Sequence, residues 1–119
     1  MAYYSQILRM RNTMIDKIEI LHDLKNHLYS KFGKEIKKVI LFGSQASNTA
    51  SIGSDYDFII ILRTKPDWKL KRQISDLCYD IDLKYNIITD THLLAESELN
   101  SLRGKQPIYR NAINKGIHA

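Results

Sequence analysis

Apolar side chains recur at Met14, Ile18, Leu21, Leu24 and Leu28, three or four residues apart with polar residues between them. That spacing puts them on one stripe of a helix and predicts an amphipathic α-helix from about Thr13 to Phe32. Thr13 with Asp16 resembles a capping pair at its start, and Gly33 is a natural terminator. Lys38 to Phe42 is rich in β-formers and predicts a strand that ends at Gly43. The stretch Ser44 to Ser54 is small and polar, hence a turn with room for one helical turn. Asp55 to Arg63 contains the unbroken apolar run Phe58 to Leu62, the mark of a central strand buried on both faces, and Pro66 ends it. Beyond Trp68, residues Leu70, Ile74, Leu77, Cys78, Ile81 and Tyr85 share a second helical stripe that Asn86 stops. Ile87 to Leu94 alternates loosely and reads as a third strand. Ser97 to Asn100 can start a short helix, Arg103 to Pro107 is a break, and Ile108 to Lys115 predicts a last helix ending at Gly116. The order helix, strand, turn, strand, helix, strand, helix predicts a mixed α/β or α+β fold, with helices packed on a small sheet.

Bulk properties narrow this picture only a little. A chain of 119 residues suits one compact core and is short for two, so residues 1–119 are expected to form a single domain. The 44% hydrophobic and 26% charged residues exclude a disordered chain, and the longest apolar run is far too short to span a membrane. The N-terminal stretch has no long apolar run followed by a small-residue cleavage site, so no export signal is expected. Cys78 is the sole cysteine, which excludes an intramolecular disulfide, fits a reducing cytoplasm and reads as a buried core thiol. The net charge of +5 would suit nucleic acid, an anionic nucleotide or an acidic partner, but the basic residues form no block and decide nothing. Tyr3, Tyr4, Trp68 and Tyr109 show no ordered stacking pattern, so a nucleic-acid partner is not expected.

Asp55 and Asp57 carry the first chemical signal. Residues two apart on a strand share a face, so their carboxylates would lie side by side and repel unless a cation intervenes. Converging oxygen ligands suit Mg²⁺ or Mn²⁺ together with substrate phosphates. Taken alone, the pair also fits a polar turn with solvated acids. Gly43-Ser44 is the second signal. A glycine directly after a strand lets backbone approach a ligand, and a serine opening a helical turn offers a hydroxyl and backbone N–H groups to a phosphate. No G-x-x-x-x-G-K-[ST] motif is present, so this is not a P-loop. His22, His27, His92 and His118 form no metal-binding spacing.

Taken together, Leu41-Phe42-Gly43-Ser44, ten intervening residues, Asp55-x-Asp57 and the apolar strand after it resemble the polymerase-β-like nucleotidyltransferase superfamily. The specific likeness is to its minimal (MNT) branch, whose signature is G-S-x10-D-x-D. Ala46, Gly53-Ser54 and the C-terminal stretch Pro107 to Ile113 with Gly116-Ile117 also fit that branch. The resemblance implies that Gly43 and Ser44 hold the nucleotide triphosphate, and that Asp55 and Asp57 bind two metal ions, Mg²⁺ or alternatively Mn²⁺. It also implies in-line attack of an acceptor hydroxyl on the α-phosphorus, with release of pyrophosphate. A third carboxylate, metal ligand and base, is expected on a neighbouring strand. Asp80, Asp82 and Asp90 are the candidates; Asp90, inside the third predicted strand, is chosen, with Asp82 its replacement if the helix ends near Tyr79. His92 would share the face of Asp90.

The branch resembled includes the antitoxins of MNT–HEPN toxin–antitoxin pairs, which adenylylate a tyrosine of the all-helical HEPN partner. The expectation is therefore transfer of AMP from ATP to a protein, in a hetero-oligomer with a HEPN-type partner. The shortness of the chain, with no visible room for a substrate-holding domain, points the same way. The alternatives are a small hydroxylated acceptor, as in aminoglycoside nucleotidyltransferases, and an antitoxin that acts by binding alone.

Overall fold

The computed structural model describes residues 13–48, 55–101 and 105–119, with side chains in the first helix described from Lys17 onward. Gly53, Ser54, Arg103, Gly104, Tyr3, Tyr4 and the capping pair expected at Thr13 and Asp16 lie outside what is described. The elements run α1 (Thr13–Phe32), β1 (Ile36–Phe42), α2 (Gly43–Ser47), β2 (Tyr56–Leu62), α3 (Trp68–Tyr85), β3 (Thr89–Ala95), α4 (Pro107–Lys115) and β4 (Ile117–His118).

The strands form one four-stranded sheet in the order β3-β2-β1-β4. β1 is antiparallel to both β2 and β4, whereas β2 and β3 are parallel. A parallel pair needs a crossover, and α3 supplies it. The apolar run of β2 is buried throughout, from Phe58 to Leu62. Its two faces are covered differently. Val39, Leu41, Phe58, Ile60 and Leu62 pack under α1 (Ile20, Leu21, Leu24, Leu28) and α3 (Ile74, Leu77, Cys78, Ile81). Ile40, Ile59, Ile61 and Leu94 pack under Tyr109 and Ala112 of α4. Cys78 is buried as expected, and burial pushes its thiol up.

Local chemistry sets the boundaries. Gly33 has φ +57°, the left-handed conformation that ends α1. The Asp67 carboxylate caps α3 by accepting from the Leu70 N–H at 2.8 Å, and Asn86 closes it at φ +54°. The third strand starts at Thr89 rather than Ile87, because the Ile87 N–H is spent on the Asp82 carbonyl at 3.1 Å and belongs to the helix stop. The short helix expected at Ser97 to Asn100 is one 3-10 turn, Glu96–Glu98, whose Glu98 carboxylate accepts from the Ala95 N–H at 3.0 Å. Strand β4 was not expected. Two residues are too few for alternation to show, and pairing of Leu41 with Ile117 defines it.

Two positions on α1 depart from the predicted stripe. Ile18 is 38% exposed, while Lys17, one residue earlier, is only 6% exposed. Below it, Asp23 joins α1 to α3: its carboxylate accepts from Lys84 Nζ and from the Tyr85 hydroxyl, each at 2.6 Å. Burial pushes Asp23 up, but these two hydrogen bonds outweigh it and hold the carboxyl below its usual range. Tyr85, half-buried and bonded to that carboxylate, is pushed up to about 12. An acid with a lowered folded pKa stabilises above its unfolded pKa, and the contribution is lost as pH falls through the folded value. Asp23→Asn is therefore expected to lower stability by about 1 kcal/mol at neutral pH in urea unfolding. The difference from wild type should close on acidification.

Candidate active site

Strand register assembles the acids. Phe42 of β1 lies opposite Asp57 of β2, and Asp57 lies opposite Asp90 of β3, so the three form one row across the sheet. One step down the same face, Ile40, Ile59 and His92 form the next row. This is the face that α4 covers further along, so the acids stand where the apolar cover stops. Carboxylate oxygens of Asp57 and Asp90 and a ring nitrogen of His92 all lie within 4.8 Å of one another. His92 Nε2 is 3.5 Å from Asp90 Oδ2. The His92 ring is held between Phe42, with centroids 5.7 Å apart, and Tyr109 at 6.4 Å.

Asp55 sits just before β2, exposed and outside that cluster. It is not an in-strand neighbour of Asp57 as the two-residue spacing suggested, because the strand begins only at Tyr56. Its charge still reaches Asp57. Burial first, then the Asp90 and Asp55 carboxylates, push Asp57 above the usual carboxylate range, and His92 partly offsets them. Asp82 is elsewhere: its Oδ1 accepts from the Thr89 N–H at 2.9 Å, closing the link from α3 to β3. Asp80 is exposed on α3. Of the three candidates for the third acid, only Asp90 faces Asp57.

Gly43 meets this cluster from β1. It follows Phe42 at φ +74°, and a Cβ built there would collide with the Asp57 carboxylate. The glycine thus serves both a left-handed turn and a backbone that lies against the acid. Ser44 follows in the first turn of α2, half-buried. A cleft of about 370 Å³ opens beside it between α2 and α4, lined by Gly43, Ser47, Asn111, Lys115 and others. Asn111 and Lys115 were not singled out in the sequence, since nothing local tells that α4 folds back beside Gly43. A separate groove of about 270 Å³ runs between α3 and β3 on the opposite face, away from the acids. Among the described residues no helix is long and apolar enough to cross a membrane.

The donor set suits a divalent cation: carboxylate oxygens and one imidazole nitrogen converge on one point, and the acids repel each other without one. A small mixed sheet with paired acids at one end, facing a glycine-serine turn, is the architecture of a nucleotidyltransferase. Residues 22–117 match the family described as Polymerase beta, Nucleotidyltransferase, and the chain belongs to that family. It is 30% identical over 96 residues to the Methanocaldococcus jannaschii protein named "Putative protein adenylyltransferase MJ0604", covering 81% of this chain and 90% of that one. A second protein of that organism, named likewise (MJ0141), is 32% identical over 71 residues, 60% of this chain and 72% of its own. Among solved structures, a toxin-antitoxin crystallised with AMP-PNP superposes with TM-score 0.54 at 16% identity, over 81% of this chain and 69% of that chain. A mutant of the toxin-antitoxin MntA-HpeT gives TM-score 0.56 at 15% identity, over 82% and 69%. At such identities these structures speak for the fold.

Proposed function

We propose that this protein transfers AMP from ATP to a hydroxyl of a partner protein, a tyrosine of a HEPN-type toxin, and acts as its antitoxin. The observation that carries the reading is the Asp57–Asp90 pair in register across β2 and β3, with the Gly43 backbone against it. The names of the sequence relatives support a protein acceptor, and the toxin-antitoxin structures support a complex with a partner.

In this reading the Gly43-Ser44 turn binds the triphosphate through backbone N–H groups and the Ser44 hydroxyl, and Lys115 across the cleft adds a cation. Asp57 and Asp90 would hold two divalent ions, Mg²⁺ or Mn²⁺, with Asp55, exposed beside the cluster, completing the set. The chemistry these residues would gain from such ions is charge neutralisation at the phosphate oxygens and the departing pyrophosphate. Asp90, whose side chain is 55% exposed, accepts the proton of the acceptor hydroxyl. The hydroxyl oxygen forms the new bond to the α-phosphorus in line with the oxygen that leaves on pyrophosphate. His92, wedged between Phe42 and Tyr109, keeps the Asp90 carboxylate turned toward Asp57.

The test is incubation with α-labelled ATP, Mg²⁺ and the product of the neighbouring gene. Label is expected on the partner with wild type and none with Asp90→Asn. Tight complex formation without labelling would sink the enzymatic reading in favour of neutralisation by contact. Labelling of an aminoglycoside in the absence of any partner would favour a small acceptor.

A further inference from the structure

We infer that Lys17 is a positioning residue for nucleotide binding: it fixes the short helix α2, and with it the Gly43-Ser44 turn, from the far side. The inference rests on the nucleotide-binding reading of that turn.

Lys17 occupies the end of the buried stripe of α1, one turn before Leu21, where the helix pattern calls for an apolar residue. Burying a lysine is unfavourable unless its ammonium is hydrogen-bonded, and here two of its three N–H donors are. Nζ donates to the Gln45 carbonyl at 3.1 Å and to Asn48 Oδ1 at 2.6 Å. Ile18 next to it stays 38% exposed, so the orientation of α1 favours the lysine over the apolar neighbour.

The recipient needs such a tether. Helix α2 has five residues, too few to hold its shape alone. Its carbonyls have no helical partners beyond the last turn and must find others. The Gly43 and Ser44 carbonyls accept from Ser47 Oγ at 3.2 and 3.3 Å, and Ser44 also accepts from the Asn48 N–H. Gln45 takes its donor from α1. Asn48, the left-handed cap at φ +61°, has its side chain on the same ammonium. Lys17 therefore clamps the C-terminal end of α2 while the N-terminal end lies against Asp57. Release of that clamp would let the turn shift against the acids with the acids themselves untouched.

Four proteins test this: wild type, Lys17→Met, which keeps the apolar stem and loses the donors, Asn48→Gly, which keeps the left-handed turn and loses the acceptor, and the double variant. Each is titrated with AMP-PNP and Mg²⁺ by calorimetry. Both variants are expected to bind about tenfold more weakly, the scale of one hydrogen bond to a charged group, and the double variant no more weakly than the worse single one. In the transfer assay KM for ATP should rise in step while kcat holds. Wild-type affinity in both variants, or weakening by Lys17→Met that Asn48→Gly does not share, overturns the inference. Failure of the wild type itself to bind AMP-PNP overturns instead the nucleotide-binding reading on which it rests.

Discussion

Asp57→Asn is expected to abolish AMP transfer and at the same time raise the thermal stability of the metal-free protein. The two effects have one origin. Burial and the Asp90 and Asp55 carboxylates disfavour the ionised form of Asp57, which is why its pKa lies above the usual range. For an acid raised on folding, the native state binds the proton more tightly than the unfolded chain does. Stability therefore falls as pH rises through the folded pKa, and the ionised group is a burden at neutral pH. Asparagine keeps the shape and removes the charge, so Tm should rise by a few degrees, a modest effect because the carboxylate is only half-buried and solvent screens it. Transfer should fall by about 10³-fold or more, since a ligand of the cations that would stabilise the developing negative charge is lost. Mg²⁺ should raise Tm of the wild type and leave the variant unmoved. Differential scanning fluorimetry with and without Mg²⁺, beside the labelled-ATP assay, reads all three; a variant that still transfers AMP would remove Asp57 from the site.

The parts of the fold and site that were legible in the sequence are those whose signal is local. The stripe on α3 and the apolar run of β2 each state their own burial, and the glycine-serine turn and paired acids lie within fifteen residues of each other. The rest depends on what folds against what. That Asp90 faces Asp57 follows from the parallel register of β2 and β3, which no spacing reveals; its signs in the sequence were its position within a predicted strand and the family resemblance that expects an acid there. The two-residue strand β4 exists only through its pairing with β1. Lys17 reads as solvated in any helical pattern, and its burial follows from acceptors 28 and 31 residues away. His92 gave a hint by sharing the face of Asp90, but its hold between Phe42 and Tyr109 joins three elements. Such long-range contacts are also what turns a common Asp-x-Asp into a shaped site.

Gly43 is where local and long-range constraints coincide, and Gly43→Ala should show both. At φ +74° an L side chain is strained, which by itself costs about 1–3 kcal/mol. The added methyl also enters the space of the Asp57 carboxylate, so either the turn or the acid must move. Displacement of either by about 1 Å is enough to lose about 10²-fold in transfer. The two contributions separate in a double-mutant cycle with Asp57→Ala, which empties the space beside Gly43. In that background Gly43→Ala should cost only the backbone strain, so its destabilisation in urea unfolding should be smaller than in wild type. Equal destabilisation in the two backgrounds would mean that the contact between glycine and acid contributes nothing to the energetics, and that only the left-handed turn requires the glycine.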